Sequence, residues 1–441
     1  MIGSGWMLSP ASSVPGVDIV PVVLATVLLL ILGDCHRVTT ARRLIALRPV
    51  QWLGDISYSL YLWHWPFLVM APFVLAVEDL DAPKILAVLV LCLALSDLSW
   101  RLVENRFRNG PRSRAGLQLV MWLGASIGVA GMAFCVAAVH KGRAERVAQK
   151  LYDLSLSPSP CFGARAMRLG VDCPDSHRLI LKDFALQNWE SQKVPVPNGK
   201  LCQNEPGDAR LAPCEWGADE GSVRRRIALL GDSHVGMWAA AIVPFAEAEG
   251  LRLRSYQASS CAVTDDANSF VTYLAPDRRA ACLKWRQSAA EAIIADPAID
   301  TVVVSGNAHQ QMIWTELGWA EDDGSGFAAL WTRLVGAGKR VVVIDDVPML
   351  RRKLPDCLSR PHPDDDPCTR PAAEVSQTSL ARAVALLPRG VVTFVPMRDA
   401  FCDANRCHAV IGGIPAYMDA DHISAPMARS LSDRIRAAIL R

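Results

Sequence analysis

The sequence lacks the marks of several functional classes. No polybasic tract interleaved with aromatic residues runs through it. Its 46 Lys and Arg almost balance 44 Asp and Glu, for a net charge of +2. That balance removes the electrostatic footprint of a nucleic-acid binder and favours no acidic partner. No C-x-x-C pair occurs among the 13 cysteines, and Cys402-x4-Cys407-His408 lacks a second half, so no metal site is read from the sequence. The first apolar run has no basic stretch before it and no small-residue cleavage pattern after it, which argues against a signal peptide. Acids are sparse up to about residue 140, whereas the remainder has ordinary α/β composition.

The acid-poor part holds four apolar runs, at 17–33, 56–77, 84–102 and 116–139. Each is near the length that a hydrocarbon core requires. The loop at 36–48 carries Arg37, Arg42, Arg43 and Arg48, and the loop at 104–115 carries Arg106, Arg108, Arg112 and Arg114. Between them the loop at 78–83 is acidic, with Glu78, Asp79 and Asp81. The positive-inside rule then puts both basic loops in the cytoplasm and delivers residues from 140 onward to the outer side. Lys141, Arg143, Arg146 and Lys150 dissent, but long domains translocate despite such charge. Cysteine placement reaches the same compartment independently. Ten cysteines lie after residue 150 as neighbours: Cys161/Cys173, Cys202/Cys214, Cys261/Cys282, Cys357/Cys368 and Cys402/Cys407. Short, even spacing of this kind reads as a disulfide framework, sequential pairing being the simplest of many connectivities.

Residues 150–222 are loop-rich and punctuated by proline. From Arg224, short apolar strands at 226–231, 252–257, 301–305, 340–345 and 391–395 alternate with helices near 235–249, 282–295, 326–338, 375–387 and 425–440. That alternation predicts a parallel, doubly wound sheet with its site beyond the C-terminal strand ends. Gly231-Asp232-Ser233-His234 follows the first strand and precedes a helix. A serine there has an exposed hydroxyl and a backbone N–H directed at a developing oxyanion. The plainer reading is that Asp232 or Ser233 only caps the helix. Asp419-x-x-His422 lies just before the last helix. His422 supplies the base that a serine nucleophile requires, and Asp419 orients its other ring nitrogen. Here the plainer reading is that Asp419 or Asp421 caps the last helix. Asp232 is expected to be structural, because its side chain diverges from that of Ser233. Of Trp238, Trp285, Trp314, Trp319 and Trp331, most are expected in the core, with some free to stack on sugar.

Two resemblances carry the reading further. GDSH after the first strand with D-x-x-H before the last helix resembles SGNH esterases and acyltransferases. GDISYSLYLWHWP at 54–66 and SDLSWRLVENRFR at 96–108 resemble the end of the acyltransferase-3 family of membrane proteins, some members of which carry an SGNH domain in this order. His64, inside the first stretch, is either a functional intramembrane group or part of an aromatic belt, satisfied by a neighbouring helix. The resemblance implies an oxyanion hole completed by Ser233 and by Ser260, which stands where the family usually has glycine, with Asn307 as side-chain donor. His309 is expected at the surface.

The fold expected is therefore about four transmembrane helices followed by an α/β SGNH domain. Its divisions are a partial acyltransferase-3 bundle with a linking helix at 1–140, a stapled extension at 141–222 and the catalytic domain at 223–441. The function expected is O-acetyl transfer to a cell-envelope polysaccharide through a Ser233-His422-Asp419 acyl-enzyme. The alternatives are hydrolysis of surface glycan esters and a non-catalytic glycan-binding remnant. Family members begin with several more helices, so the chain is expected to correspond to a C-terminal portion. The acyl donor, acetyl-CoA, would be used by the remaining membrane portion, which a separate reading frame could encode, and no cofactor is expected at Ser233. The partners expected are the glycan acceptor and the lipid bilayer. The location expected is a bacterial inner membrane, crossed several times, with the C-terminal domain in the periplasm.

Overall fold

The computed structural model describes residues 45–74, 80–105, 115–157, 159–180, 202–358 and 366–441, with scattered positions between 20 and 43. Two compact units divide between Ile127 and Gly128.

In the first unit, α1 (Arg48–Asp55) leads into α2 (Ser57–Val74), which packs on α3 (Ala82–Ser99). Asp81 caps α3 by accepting the Lys84 N–H at 3.0 Å, with a proline in the first turn. A π-helical turn, Trp100–Glu104, continues α3. The stretches at 54–66 and 96–108 meet here: Trp63 Nε1 donates to Ser99 Oγ at 2.9 Å and Ser59 Oγ to Glu104 Oε2 at 3.2 Å. Ala71, Val88 and Cys92 form the buried contact. His64 Nδ1–H donates to the Leu60 carbonyl of its own helix at 3.0 Å, where a partner on a neighbouring helix was expected. Among the described residues one helix, Ala82–Glu104, is long and apolar enough to cross a membrane, with a mean hydropathy of 2.0. The run at 17–33 lies outside the described residues, apart from scattered positions. The run at 116–139 falls within α4 (Ala115–Leu156).

The second unit is built on a six-stranded sheet. Its strands are β1 (Cys214–Gly217), β2 (Arg225–Gly231), β3 (Leu251–Gln257), β4 (Ile299–Ser305), β5 (Arg340–Ile344) and β6 (Thr393–Val395). The order across the sheet is β1-β3-β2-β4-β5-β6. All pairs are parallel except β1 with β3, so the sheet is mixed at one edge. The departure comes from Cys214–Gly217, a strand within the proline-punctuated stretch.

Side-chain alternation sends the sheet's residues into two cores. Ile227, Leu229, Val303, Val342 and Ile344 face one, with α5 (Ser233–Met237), α6 (Ala239–Ala246), α10 (Ala425–Ser430) and α11 (Ser432–Leu440). Ala228, Leu230, Val302, Val304, Val341 and Val343 face the other, with α7 (Pro276–Ala295), α8 (Ser325–Gly336) and α9 (Ser379–Ala385). Trp238, Trp285 and Trp331 are buried in these cores, whereas Trp314 is exposed. The last turns of α4 dock on this unit: Leu151 is buried and Arg429 donates to Ser155 Oγ at 2.8 Å.

All five neighbouring cysteine pairs are joined as disulfides, and Cys92 and Cys135 are free.

From β2 the chain goes to β3 on one side, and β4 lies on the other. The end of β2 is therefore the topological switch point where doubly wound sheets place their sites. Gly231 ends the strand because a Cβ there would sit 2.0 Å from the Ser305 carbonyl. Gly231→Ala is expected to cost about 2 kcal/mol or more and to lower thermal melting of the full chain by roughly 5 °C. An unchanged melting temperature would show that the two strand ends can separate freely.

Candidate active site

The turn out of β2 fixes three functional groups in sequence. Asp232 is the N-cap of α5, its Oδ1 accepting the His234 N–H at 2.8 Å. Its Oδ2 accepts the Asn307 N–H at 2.9 Å, which ties the end of β2 to the loop after β4. Asp232 therefore has the structural part expected of it and makes no contact with the Ser233 hydroxyl. Burial pushes its carboxyl above the usual range. Ser233 is half-buried at the first helical position.

His422 arrives from the opposite end of the sequence. Its Nε2 lies 2.8 Å from Ser233 Oγ, and its Nδ1 lies 2.8 Å from Asp419 Oδ2. Asp419 Oδ1 accepts two backbone N–H groups, from Asp421 and His422, at 2.9 and 2.6 Å. These bonds fix the carboxylate, and with it the tautomer that leaves Nε2 free to take the serine proton. The loop itself is pinned by Tyr417, whose hydroxyl donates to the Pro348 carbonyl at 2.6 Å, and by the Leu350 and Leu354 N–H groups, which bond to Ala420 and Asp419. Neither carboxylate caps the last helix pair, because Ser424 does so, accepting the Met427 N–H.

A second carboxylate shares His422. Asp421 Oδ1 lies 3.1 Å from His422 Nδ1, and Asp421 Oδ2 accepts from Asn307 Nδ2 at 3.3 Å. Burial opposes charge on His422, but hydrogen bonds to Asp419 and Asp421 outweigh it and carry the pKa up to about 10. For Asp419, too, burial opposes the charge, but the bond to His422 brings the carboxyl down to about 2.

Behind the triad lies a second histidine–carboxylate pair. His234 is wholly buried, and its Nδ1–H donates to Asp346 Oδ1 at 2.7 Å. Its ring is 4.7 Å from that of His422, and its Nε2, with no hydrogen-bond partner, faces Asp421 at 3.9 Å. Asp346 Oδ2 also accepts the Ala308 and His309 N–H groups at 2.8 and 3.4 Å. His309 is half-buried rather than at the surface, and burial lowers its pKa.

Of the residues expected at the oxyanion, Ser233 has its N–H at the start of α5. Ser260 has φ +56°, in the left-handed region that normally favours glycine. It occupies a turn closed by the Cys261 N–H to the Ala258 carbonyl. Asn307 Nδ2 bonds to Gln310 and Asp421. Tyr273, which the sequence reading missed, stands beside Ser260 and Asn307; desolvation pushes its phenol up against their opposing pull, although the residue as a whole is exposed. Asp346 was also missed. It follows β5 at a C-terminal strand end, and that position was the available signal.

Comparison with known proteins follows from this geometry. Residues 201–437 match the family described as SGNH domain (fused to AT3 domains), which is more than half of the chain. The chain belongs to this family. It is similar to a putative peptidoglycan O-acetyltransferase, YrhL, of Bacillus subtilis (strain 168), at 34% identity over 87 residues, 19% of this chain and 13% of that protein. It is also similar to a putative membrane-bound transacylase, BcsY, of Komagataeibacter xylinus, at 39% over 79 residues, 16% of this chain and 20% of that protein. A third relative is the peptidoglycan O-acetyltransferase OatA of Listeria monocytogenes serovar 1/2a, at 25% over 73 residues, 17% of this chain and 12% of that protein. The matches thus span at most a fifth of these relatives' lengths. A solved structure, the periplasmic domain of a lipopolysaccharide acetyltransferase from Salmonella ser. Paratyphi A, aligns with 50% of this chain and 85% of its own, at 12% identity and TM-score 0.37.

In this SGNH domain the base form of His422 is neutral, so chemistry that uses it rises with pH through the pKa of His422. Two anions on Nδ1 place that limb above the ordinary histidine range. Asp421→Asn removes one anion and is expected to move the acidic limb of kcat/KM to lower pH by about one unit. A limb that stays in place would mean that Asp421 does not act on His422.

Proposed function

We propose that the chain is an O-acyltransferase that modifies a cell-envelope polysaccharide through an acetyl-Ser233 intermediate. The observation that carries the reading is the continuous chain of contacts from Ser233 Oγ through His422 to Asp419. Family membership supports it, as do the names of the relatives, one a peptidoglycan O-acetyltransferase and another a putative one.

In the first half, His422 Nε2 takes the Ser233 proton as Oγ attacks the donor carbonyl. The developing oxyanion is met by the N–H groups of Ser233 and Ser260 and by Asn307 Nδ2, which turns from Asp421 to reach it. The tetrahedral species expels the donor's leaving group, which takes the proton from His422. In the second half, His422 takes the proton of a sugar hydroxyl, whose oxygen attacks the acyl carbon. Collapse forms the sugar ester and returns the proton to Ser233. Asp419 stabilises the imidazolium in both halves. No metal or diffusible cofactor enters at Ser233. The acetyl group would come from acetyl-CoA by way of an AT3-type membrane portion. We further propose four membrane-spanning helices, an SGNH domain facing the periplasm and glycan as the acceptor.

The test incubates the full chain, in detergent with disulfides closed, with a small activated acetyl ester. Peptide mass at Ser233 is followed with and without envelope glycan. An acetyl adduct that decays faster with glycan and yields acetylated sugar is expected. Ser233→Ala is expected to remove the adduct and lower turnover by at least ~10³-fold. Decay at the same rate in water alone would make the domain an esterase. No adduct in the folded chain would leave a glycan-binding role.

A further inference from the structure

Asp421 Oδ2 has two candidate donors but only one hydrogen bond. Asn307 Nδ2 donates to it at 3.3 Å, whereas His234 Nε2 stands off at 3.9 Å. His234 is wholly buried, and its Nε2 is a buried polar atom with no hydrogen-bond partner. Such atoms are costly, and folded proteins keep few of them.

The groups around the ring decide what Nε2 carries. On the far side, Nδ1–H donates to Asp346 Oδ1 at 2.7 Å. Asp346 is in turn held by the Ala308 and Val347 N–H groups, each at 2.8 Å. Three carboxylates act on the imidazole: Asp346 after β5, Asp232 in its own turn and Asp421 in the loop before α10. His422, 4.7 Å away between ring centroids, and His309, after β4, oppose them. A lone pair on Nε2 would face the Asp421 carboxylate and repel it, whereas an N–H is attracted. Burial opposes charge on His234, but Asp346 outweighs it and shifts the group toward the charged form. Nε2 therefore carries a proton and has no bonded acceptor.

The reaction creates the state in which that N–H finds one. Asn307 Nδ2 leaves Asp421 when it turns to the oxyanion. Asp421 Oδ2 then loses its donor, while Oδ1 still faces His422 Nδ1 at 3.1 Å. The Asp421 side chain is 18% exposed, so solvent replaces the lost bond poorly. A shift of about 1 Å brings Oδ2 within hydrogen-bond distance of His234 Nε2.

We propose that His234 is a positioning residue that exchanges with Asn307 on Asp421: as Asn307 Nδ2 goes to the oxyanion, His234 Nε2–H closes on Asp421 Oδ2. The motion of Asn307 rests on the acetyl-Ser233 reading. His234 touches no substrate and gives up no proton. Its bond keeps Asp421 paired, and directed at His422, in the resting site and at the tetrahedral species alike. Asp346 is the anchor that holds the ring in place for the exchange.

The test uses the full chain in detergent, with disulfides closed, and a small activated acetyl ester. Turnover is read by release of the leaving group. His234→Asn keeps an amide donor near the place of Nδ1, toward Asp346, and has nothing that reaches Asp421. It is expected to melt near the wild-type temperature and to lower kcat by about 10- to 100-fold with KM unchanged. Asn307→Ala keeps the backbone N–H that Asp232 accepts. In that background no exchange remains to be made, and His234→Asn is expected to cost less than about twofold. A ring that only fills space would slow both backgrounds alike. That outcome overturns the proposal, as does a wild-type kcat in His234→Asn.

A second measurement needs no turnover. The full chain is labelled with heavy-nitrogen histidine, and the His234 Nε2–H signal is assigned by its loss in His234→Asn or His234→Gln. The signal is expected to move downfield in Asn307→Ala, where Asp421 has lost its other donor. An unmoved signal overturns the exchange. Absence of acetyl-Ser233 in the wild-type chain would fall on the acyl-enzyme reading, and the signal alone would then decide whether His234 and Asn307 compete for Asp421.

Discussion

Asp232 has no exposed surface, and its two carboxylate oxygens accept N–H groups from His234 on one side and Asn307 on the other. A carboxylate withdrawn from water is tolerated only when such donors replace hydration. Here the donors belong to two different strand ends, so satisfying the charge also fixes the strands' relative positions. Ser233 and Asn307 take their positions from this one group. Gly231 permits it, because any side chain there would force β2 away from the Ser305 carbonyl.

The same device recurs one strand further along. Asp346, after β5, accepts N–H groups from the loop after β4 and holds His234. Asp345 beside it accepts from Thr378 at 2.6 Å, and burial pushes its carboxyl to about 7. Adjacent parallel strands end in loops whose amides need acceptors, and aspartates supply them. Asp346 faces His234, and Asp419 and Asp421 face His422, and both imidazoles are shifted toward the charged form. At His234 the basicity is thus a by-product of how the strand ends are stitched together, whereas at His422 it comes from the loop that carries Asp419 and Asp421.

What could be read in the sequence follows from this. Four of the five parallel strands were visible as short apolar runs and β3 as an alternation of apolar and polar residues, the side chains dividing between two cores. Ser233, His422 and Asp419 were visible because two of them lie three residues apart and the third opens the helix that follows a strand. Asp346 and Asp421 were not, since their contacts depend on parallel register and loop closure, which one-dimensional spacing does not contain. β1 was missed because a four-residue edge strand has little apolar pattern. Ser260 shows a different limit: the backbone adopts φ +56° there without the glycine that usually signals it. For His64, the acceptor is the preceding turn of its own helix, a partner that residue type alone does not reveal.

The five disulfides are consecutive and un-nested, and none closes a loop of more than 21 residues. A chain threaded through a membrane from its N-terminal side would present each cysteine's partner before the next pair emerged. Pairing each newly exposed thiol with its predecessor therefore yields the native set directly. Were the domain exported in this way, assembly of the framework would need an oxidant but no enzyme to reshuffle wrong bridges.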